Sequence, residues 1–535
     1  MFPFLPTLFL AQELPHLIPP EFPAPKFQRI YPSTPARPLV PIPPKPLPLP
    51  PVPVQILQPQ EVRPLPGHLD TIPVFNSNSP EVIQREGILL STFPSQGKKV
   101  PEAHLNFPLQ GRFDLFAHHI AKTDTPDDTP TLYLGVMLYN PGRVPVHVDL
   151  LQAASYLGTP DAPFIELASL VDNPLGSIYS GPGSRVTNQV LRGRRQTHWP
   201  SQLLIPSGQS RMLINLPIPV PKLALSPRQP VSVPQLPKSS KRVLLASQAT
   251  PLLEELPPLR NLAPSSNGRS TLLYLFSSGP VYAASLAMYA RLNPDGHERI
   301  PTLEDWQFLL ETGGLANPRD IAPTPPGRTT NRFFYGRVAG VSQGSQWQAQ
   351  LTDNPKSQNL TIPKRDQAFS YGLSTVERGN LGTGQIQSAP MLVRYPDTAY
   401  LAHGNYAVHY DLSLPLYNST NQPQAVALLI QTPLKQGPLA RGLRFLEPPL
   451  PQIFFRGTVR IRYDNDQGVP QTHFVHLVQR QGQQGDPLVI LHMKPGERRL
   501  VKVDYLYPPD STPPQVLTVK TLANPSLGLP FAQTR

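Results

Sequence analysis

The 535-residue sequence contains no cysteine. That absence excludes a disulfide scaffold, a cysteine-based zinc site, an iron–sulfur cluster and a cysteine nucleophile. It also excludes a lipoprotein anchor on an acylated cysteine. Charge is sparse as well. Asp, Glu, Lys and Arg make up 15% of the chain, where ~25% is ordinary. A coiled coil needs charged positions flanking its heptads and is excluded. No apolar run reaches the ~18–20 residues of a membrane-spanning helix. The length leaves room for two to four domains at ~150 residues each.

Proline is what the chain has in excess. It contributes 74 residues, about one in seven, against a usual ~5%. Residues 1–66 hold 21 of them and no glycine; the remaining 469 residues hold 53. Proline costs ~3 kcal/mol inside a helix, and an average helix needs ~11–12 residues. Proline is tolerated in turns, at strand starts and on sheet edges. The body is therefore expected to be strands and loops.

Residues 1–11 are apolar and lack a basic start. They read either as the core and cleavage end of a secretory signal or as an apolar tip of the mature chain. Residues 12–66 read as a disordered, proline-rich tether. Pro41-Ile-Pro-Pro-Lys-Pro-Leu-Pro-Leu-Pro-Pro-Val-Pro53 suits polyproline II, a semi-rigid spacer rising ~3.1 Å per residue. It also has the pattern of a ligand for proline-reading domains. The expected location is exported, in the periplasm, cell envelope or medium, with the cytoplasm as the alternative.

Beyond Gly67, strand patterns recur. Thr131–Tyr139 is followed by the turn Asn140-Pro-Gly and the alternating run Val144–Leu150. Thr271–Phe276 and Val281–Tyr289 read as a hairpin around Ser-Ser-Gly-Pro. Tyr406–Tyr417, Asn418-Ser-Thr-Asn and Ala425–Ile430 repeat the first arrangement. Each half has a strand ending Leu-Tyr-Asn and, 66 or 77 residues later, a proline–glycine turn into another strand. Duplication accounts for this, and so does shared sandwich grammar. The fold class is all-β: two immunoglobulin-like β-sandwich domains with long loops and one short helix. The boundaries are 67–300 for the first, with a loop excursion at 221–266, and 331–535 for the second. Residues 301–330 form a helix and inter-domain linker. Thr302 caps that helix, Asp305 is its third residue, and Leu303, Trp306, Phe308, Leu309 and Leu310 form its apolar face. It is expected to pack where the domains meet.

The net charge of +12 is spread thinly. Two clusters stand out: Arg185, Arg192, Arg194 and Arg195 ahead of His198 and Trp199, and Lys238, Lys241 and Arg242. They read as solvated loops or as contacts to a polyanion, such as an acidic polysaccharide or a lipid head group. Nucleic acid is not expected, because the basic residues do not gather on one element.

The chemical motifs are weak. Gly340-Val-Ser342-Gln-Gly344 has the pattern of a nucleophile elbow, but an alternating run follows it where a helix is needed, so it reads as a glycine-rich hairpin. His118 and His119 are adjacent and point to opposite faces of a strand. Asp114 and His118 can share a face, as can Asp397 and His403 after folding; they read as hydrogen-bonded groups in strands, with metal binding as the alternative. Asp464-Asn-Asp466-Gln-Gly468 resembles the start of a calcium loop, but Val475 stands where the glutamate belongs, so it reads as a hairpin turn. Trp199, Trp347, Tyr179, Tyr371 and Tyr400 sit in loop-like contexts suited to stacking on sugars, or in the core. The candidate ligand-binding residues are Arg192, Arg194, Arg195, Trp199 and Trp347. No catalytic residue, metal or cofactor is assigned.

Seven segments together resemble one family. They are Val74-Phe-Asn-Ser-Asn-Ser-Pro-Glu81, Gly111–His119, Ala153–Leu157, Gly181-Pro-Gly-Ser-Arg185, Tyr335-Gly-Arg-Val-Ala-Gly340, Arg394–Tyr400 and Ala402-His-Gly-Asn-Tyr406. The chain resembles the cyanobacterial domain-of-unknown-function family 3370 over roughly residues 67–525. The resemblance implies a cyanobacterial source and, in many members, an export signal; it brings no catalytic residues. The leading expectation is a non-enzymatic, exported or cell-envelope protein acting in surface interaction or scaffolding. The alternative is a carbohydrate-binding or polysaccharide-processing protein. A serine hydrolase on Ser342 is a third reading.

Overall fold

Ser265–Tyr289 is a run of leucines, aromatics and small residues, and it forms one strand of 25 residues. The computed structural model describes residues 51–125, 129–220, 265–328, 330–435 and 442–524. The polyproline leader and nearly all of the 221–266 excursion lie outside the described residues. Gly279-Pro280 interrupts the strand's register between Ser277 and Val281. Before the interruption the strand pairs antiparallel with Leu109–Thr123 and Val146–Leu157. After it, the strand pairs with Leu132–Tyr139 and Gly87–Ser91. The expected hairpin is therefore absent: the Gly-Pro step carries the chain from one layer to another without reversing it. The layers close over a core that includes Phe113, Leu115, Val148 and Leu150 on one side and Leu134, Val136, Leu138 and Ala283 on the other.

A second core lies between a seven-stranded and a five-stranded sheet. His409–Tyr417, Arg498–Leu506, Ile453–Asp464 and Pro470–Arg480 are consecutive in the first. Ala368–Leu373, Gln515–Thr521, Gln424–Gln431 and Pro487–Met493 are consecutive in the second. Tyr410, Leu412, Val501 and Val503 meet Leu428, Ile430, Leu517 and Val519 between them. The chain is mostly β, as expected.

The repeated Leu-Tyr-Asn signature has one geometry in both halves. Asn140 N–H donates to Gln209 O at 3.0 Å and its carbonyl accepts from Gly208 N–H at 3.0 Å. Asn418 does the same with Glu497 O at 3.0 Å and Gly496 N–H at 2.9 Å. Both carboxamides turn inward. Asn140 Nδ2 donates to Val144 O and Ile205 O, and Asn418 Nδ2 donates to Gln422, Met493 and Lys494 carbonyls. Each asparagine thus pins a turn to a distant proline–glycine corner.

Strand pairing crosses every boundary expected from the sequence. Val54–Gln58 and Glu61–Arg63 fall in the expected tether, yet they pair with Leu443–Glu447 and Ala368–Leu373. Val54-Gln-Ile-Leu-Gln58 is free of proline, which is what lets it join a ladder. Leu170–Asp172 pairs with Pro470–Arg480. Ala339–Gln343 lies between Pro73–Ser77 and Ala389–Arg394 in the first sheet system. The chain turns at Gly344 (φ +126°), and Gln346–Gln350 then joins the seven-stranded sheet. The Ser342 segment is thus a crossing and not a hairpin. Alternation in a sequence identifies strands but not their partners.

Among the described residues there are two α-helices where one was expected, besides one short 3-10 turn. Helix α2 (Leu303–Thr312) has the expected capping box: Thr302 Oγ1 accepts from Asp305 N–H, and the Asp305 carboxylate accepts from Thr302 N–H. It does not pack between the two cores. It covers one layer of the first, with Trp306 fully buried against Ile88, Met137 and Ala284. A Cβ at Gly135 would come within 2.8 Å of that indole. Phe308 points outward, 66% exposed, because it lies off the 303–306–310 stripe.

Helix α1 (Pro182–Leu191) fills the junction. Val186, Val190 and Leu191 pack with Phe116, Ala154 and Leu272 from the first core's strands and with Ala407 and Leu506 from the second's. Its N-terminus has no side-chain cap of its own. Asp510 supplies one: its Oδ2 accepts from Gly183 N–H at 3.0 Å and Ser184 N–H at 3.3 Å. A Cβ at Gly183 would sit 2.7 Å from that oxygen and 2.9 Å from Pro509 Cδ. In a free helix Gly→Ala stabilises by ~0.5–1 kcal/mol. Here Gly183→Ala is expected to cost ~1–3 kcal/mol by overpacking, read by urea unfolding; a gain in stability would show that Asp510 does not hold this helix.

Candidate functional site

A cleft of ≈180 Å3 opens beside this junction. Asn76 is the next-to-last residue of the strand Pro73–Ser77, and Asn78 follows that strand. Tyr335–Val338 forms one wall, His403–Tyr406 another, and Val376, Lys435, Thr512 and Pro513 complete the lining.

The walls are rigid for local reasons. Asn405 and Ala407 adopt left-handed backbone (φ 49° and 69°), a region asparagine tolerates better than most residues. The Asn405 carboxamide donates to Gln387 O at 2.8 Å and Tyr410 Oη at 3.1 Å, and accepts from Ala389 N–H at 3.3 Å. A Cβ on Gly404 would strike the Tyr406 ring at 2.7 Å. Tyr406 stacks on Tyr507 and donates to Ser511 O; burial pushes its phenol up to about 12. On the opposite wall Tyr335 Oη accepts from Arg378 N–H at 2.9 Å. Its ring lies 4.5 Å from the His403 imidazole. Arg337 is held in an ion pair by Glu81.

Three lining side chains have no partner. Asn76 and Asn78 are 5% and 3% exposed, and neither carboxamide makes a hydrogen bond. His403 Nδ1 is buried and unpaired as well. Burial lowers this imidazole to about 4, so it is neutral at ordinary pH. An unpaired buried polar group costs ~1–3 kcal/mol. The arrangement can accept and donate hydrogen bonds to a bound molecule. It offers no nucleophile beside a base.

A larger, more open depression of ≈630 Å3 holds Glu81, His118, Arg456 and Asp510. Its polar groups are mostly committed. His118 Nδ1 is bonded to Ser270 Oγ, Asp510 caps α1, and Asn267 donates to Thr159 and Pro219 carbonyls. Desolvation pushes Asp510 up to about 6.

The residues expected from sequence to bind a ligand are dispersed. Trp199 and Trp347 are 6% and 5% exposed, with their indoles donating to Leu213 O and Pro66 O. Each is packed in a core, so neither offers a face to a sugar; the loop context misled because the flanking strands bury both rings. Arg192 is spent on structure, bonded to Asn173 O, Pro174 O and Asn188 and lying over Phe474. Arg195 donates to Leu150 O. Arg194 is exposed, and its side chain makes no hydrogen bond or ion pair among the described residues. Ser342 is 2% exposed in mid-strand. His119 is bonded to Ser77 and Pro80, while His118 faces Ser270 and Glu81 on the other side. Asp397 chelates Arg319, and Asp466 is held by Arg499 and His492 in its hairpin turn. Among the described residues no group of three or more His, Asp or Glu is placed to hold a metal ion.

Sequence reasoning missed Asn76 and Asn78 as site residues and considered His403 only with Asp397. A signal was available, since three of the seven segments singled out above line this one cleft.

The family described as "Protein of unknown function (DUF3370)" matches residues 60–521, and the chain belongs to it. No curated protein matches. Among solved structures, coconut allergen cocosin is 9% identical over 86% of this chain and 85% of its own, with a TM-score of 0.09. Procruciferin, the 11S globulin from Brassica napus, is 12% identical over 83% and 85%, also at 0.09. Scores this low carry no argument.

Two outcomes are expected. Asn76→Ala and Asn78→Ala should leave the melting midpoint unchanged or raised, because no protein hydrogen bond is lost. Asn405→Ala in the same loop system should lower stability by ~1–3 kcal/mol. A comparable loss in the first two would mean their amides are paired. The second outcome concerns acid. Burial lowers His104, His119, His403 and His476 to about 4 and His118 to about 3. A histidine lowered in the fold takes up its proton in the unfolded chain first, so the stability present above pH 6.5 is lost as pH falls towards 4. Asp510 and Glu81, both raised by burial, act in the opposite sense but are outnumbered. The melting midpoint should fall between pH 7 and pH 4; a flat profile would show that these imidazoles are solvated.

Proposed function

We propose that this family member is a non-enzymatic binding protein of the cell envelope, exported and held on a proline-rich tether. The cleft at the junction of its two cores is its ligand site. The observation that carries the reading is a set of unpaired polar atoms there: Asn76 Oδ1, Asn78 Oδ1 and His403 Nδ1 belong to residues lining one opening and have no hydrogen-bond partner in the protein. Buried polar groups in folded proteins are normally satisfied, and clustered exceptions call for a missing partner.

Other features support it. The apolar start of the chain and the absence of cysteine are compatible with export. A serine hydrolase is disfavoured, because Ser342 is buried in a strand flanked by pairing on both sides. Among the described residues no helix is long and apolar enough to cross a membrane.

Fractionation of the producing cells tests the proposal. The wild-type chain should appear outside the cytoplasm and sediment with envelope material. A Thr512→Trp variant, which fills the cleft from a half-buried lining position, should be exported equally but stay in the soluble fraction. A wholly cytosolic chain, or equal sedimentation of the variant, would contradict it.

A further inference from the structure

We infer that the junction cleft takes an uncharged sugar ring. The inference rests on the binding role proposed above and names the ligand by the chemistry of the lining. Among the described residues no aspartate or glutamate lines the cleft, so none of them balances a cationic ligand. Of its two cationic side chains, Arg337 is neutralised by Glu81, and Lys435 stands exposed at the rim. Asn76 and Asn78 are buried lining residues, and His403 is half-buried with its Nδ1 covered.

Each carboxamide offers two donors and one acceptor oxygen, and a neutral imidazole offers one of each. Hydroxyl groups match this mixture, because every hydroxyl both donates and accepts. Asn76 and Asn78 stand two residues apart on one extended segment, so they present two amides side by side to a run of adjacent hydroxyls. The remaining walls are apolar: Val338, Val376, Ala402 and Pro513. The rings of Tyr335 and His403, tilted 57° to each other with centroids 4.5 Å apart, add apolar ring surface with polar edges. That combination suits the C–H face of a pyranose. The cleft, at ≈180 Å3, has room for a sugar ring. These are not the arginines and tryptophans that the sequence pointed to.

Titration of the full chain with D-glucose, D-galactose, N-acetyl-D-glucosamine and D-glucuronate, followed by saturation-transfer NMR, tests this. At least one of the three neutral sugars should bind in preference to glucuronate. The Asn76→Ala/Asn78→Ala double variant should weaken that binding by roughly tenfold or more, as expected for lost hydrogen bonds, while keeping its melting midpoint. His403→Ala should weaken it too, which guards against a folding defect in the double variant. Preference for glucuronate, sensitive to the same substitutions, would overturn the neutral-sugar assignment and leave the cleft as a binding site. No binding by any of the four, with Thr512→Trp also without effect on envelope sedimentation, would overturn both.

Discussion

One carboxylate and one helix end hold the junction together. Asp510 belongs to a turn leading out of the second core's sheet, and it bonds the first free N–H groups of α1. The helix has no cap of its own, and Pro182 at its start is pre-set for helical backbone. Gly181 and Gly183 leave room for Phe164 and for the Asp510–Pro509 corner; side chains at either position would collide. Burial raises Asp510 although two N–H donors favour its charge. Desolvation is therefore the larger effect at this point, and the helix is held from the far side of the junction.

The crossing strands add to this constraint. Ala339–Gln343 belongs to one sheet and Gln346–Gln350 to another, with Gly344 packed against Leu69 between them. Ser345 Oγ donates to the buried Asp114 carboxylate, and Ser345 N–H to Asp70. The wall Tyr335–Val338 of the cleft runs directly into the crossing strand Ala339–Gln343. Tyr335, His403 and Tyr406 need little rearrangement to meet a ligand, which lowers the ordering cost of binding.

What the sequence disclosed was local. Thr302 and Asp305 form their capping box because both partners lie within one turn. The Asp464–Gly468 turn and the opposite-facing His118 and His119 follow from strand geometry alone. Pairing was not legible, since Val54–Gln58 finds its partner nearly four hundred residues away. Helix α1 was hidden because Pro182, Gly183, Ser184, Thr187 and Asn188 are poor helix formers and its apolar stripe is only Val186, Val190 and Leu191. Trp199 and Trp347 looked available because loop-like neighbours say nothing about what folds over them. The orphaned state of Asn76 and Asn78 is a three-dimensional property: an asparagine in sequence gives no sign of whether its amide will find a partner.

The central claim is that the Asn76, Asn78 and His403 side chains stand unpaired by protein at the junction cleft. A high-resolution crystal structure of the full chain measures this most directly. The account predicts an open cleft in which all three groups bond to ordered water or to a bound ligand and to no protein atom. A closed cleft, or the two carboxamides turned onto protein donors and acceptors, would contradict it.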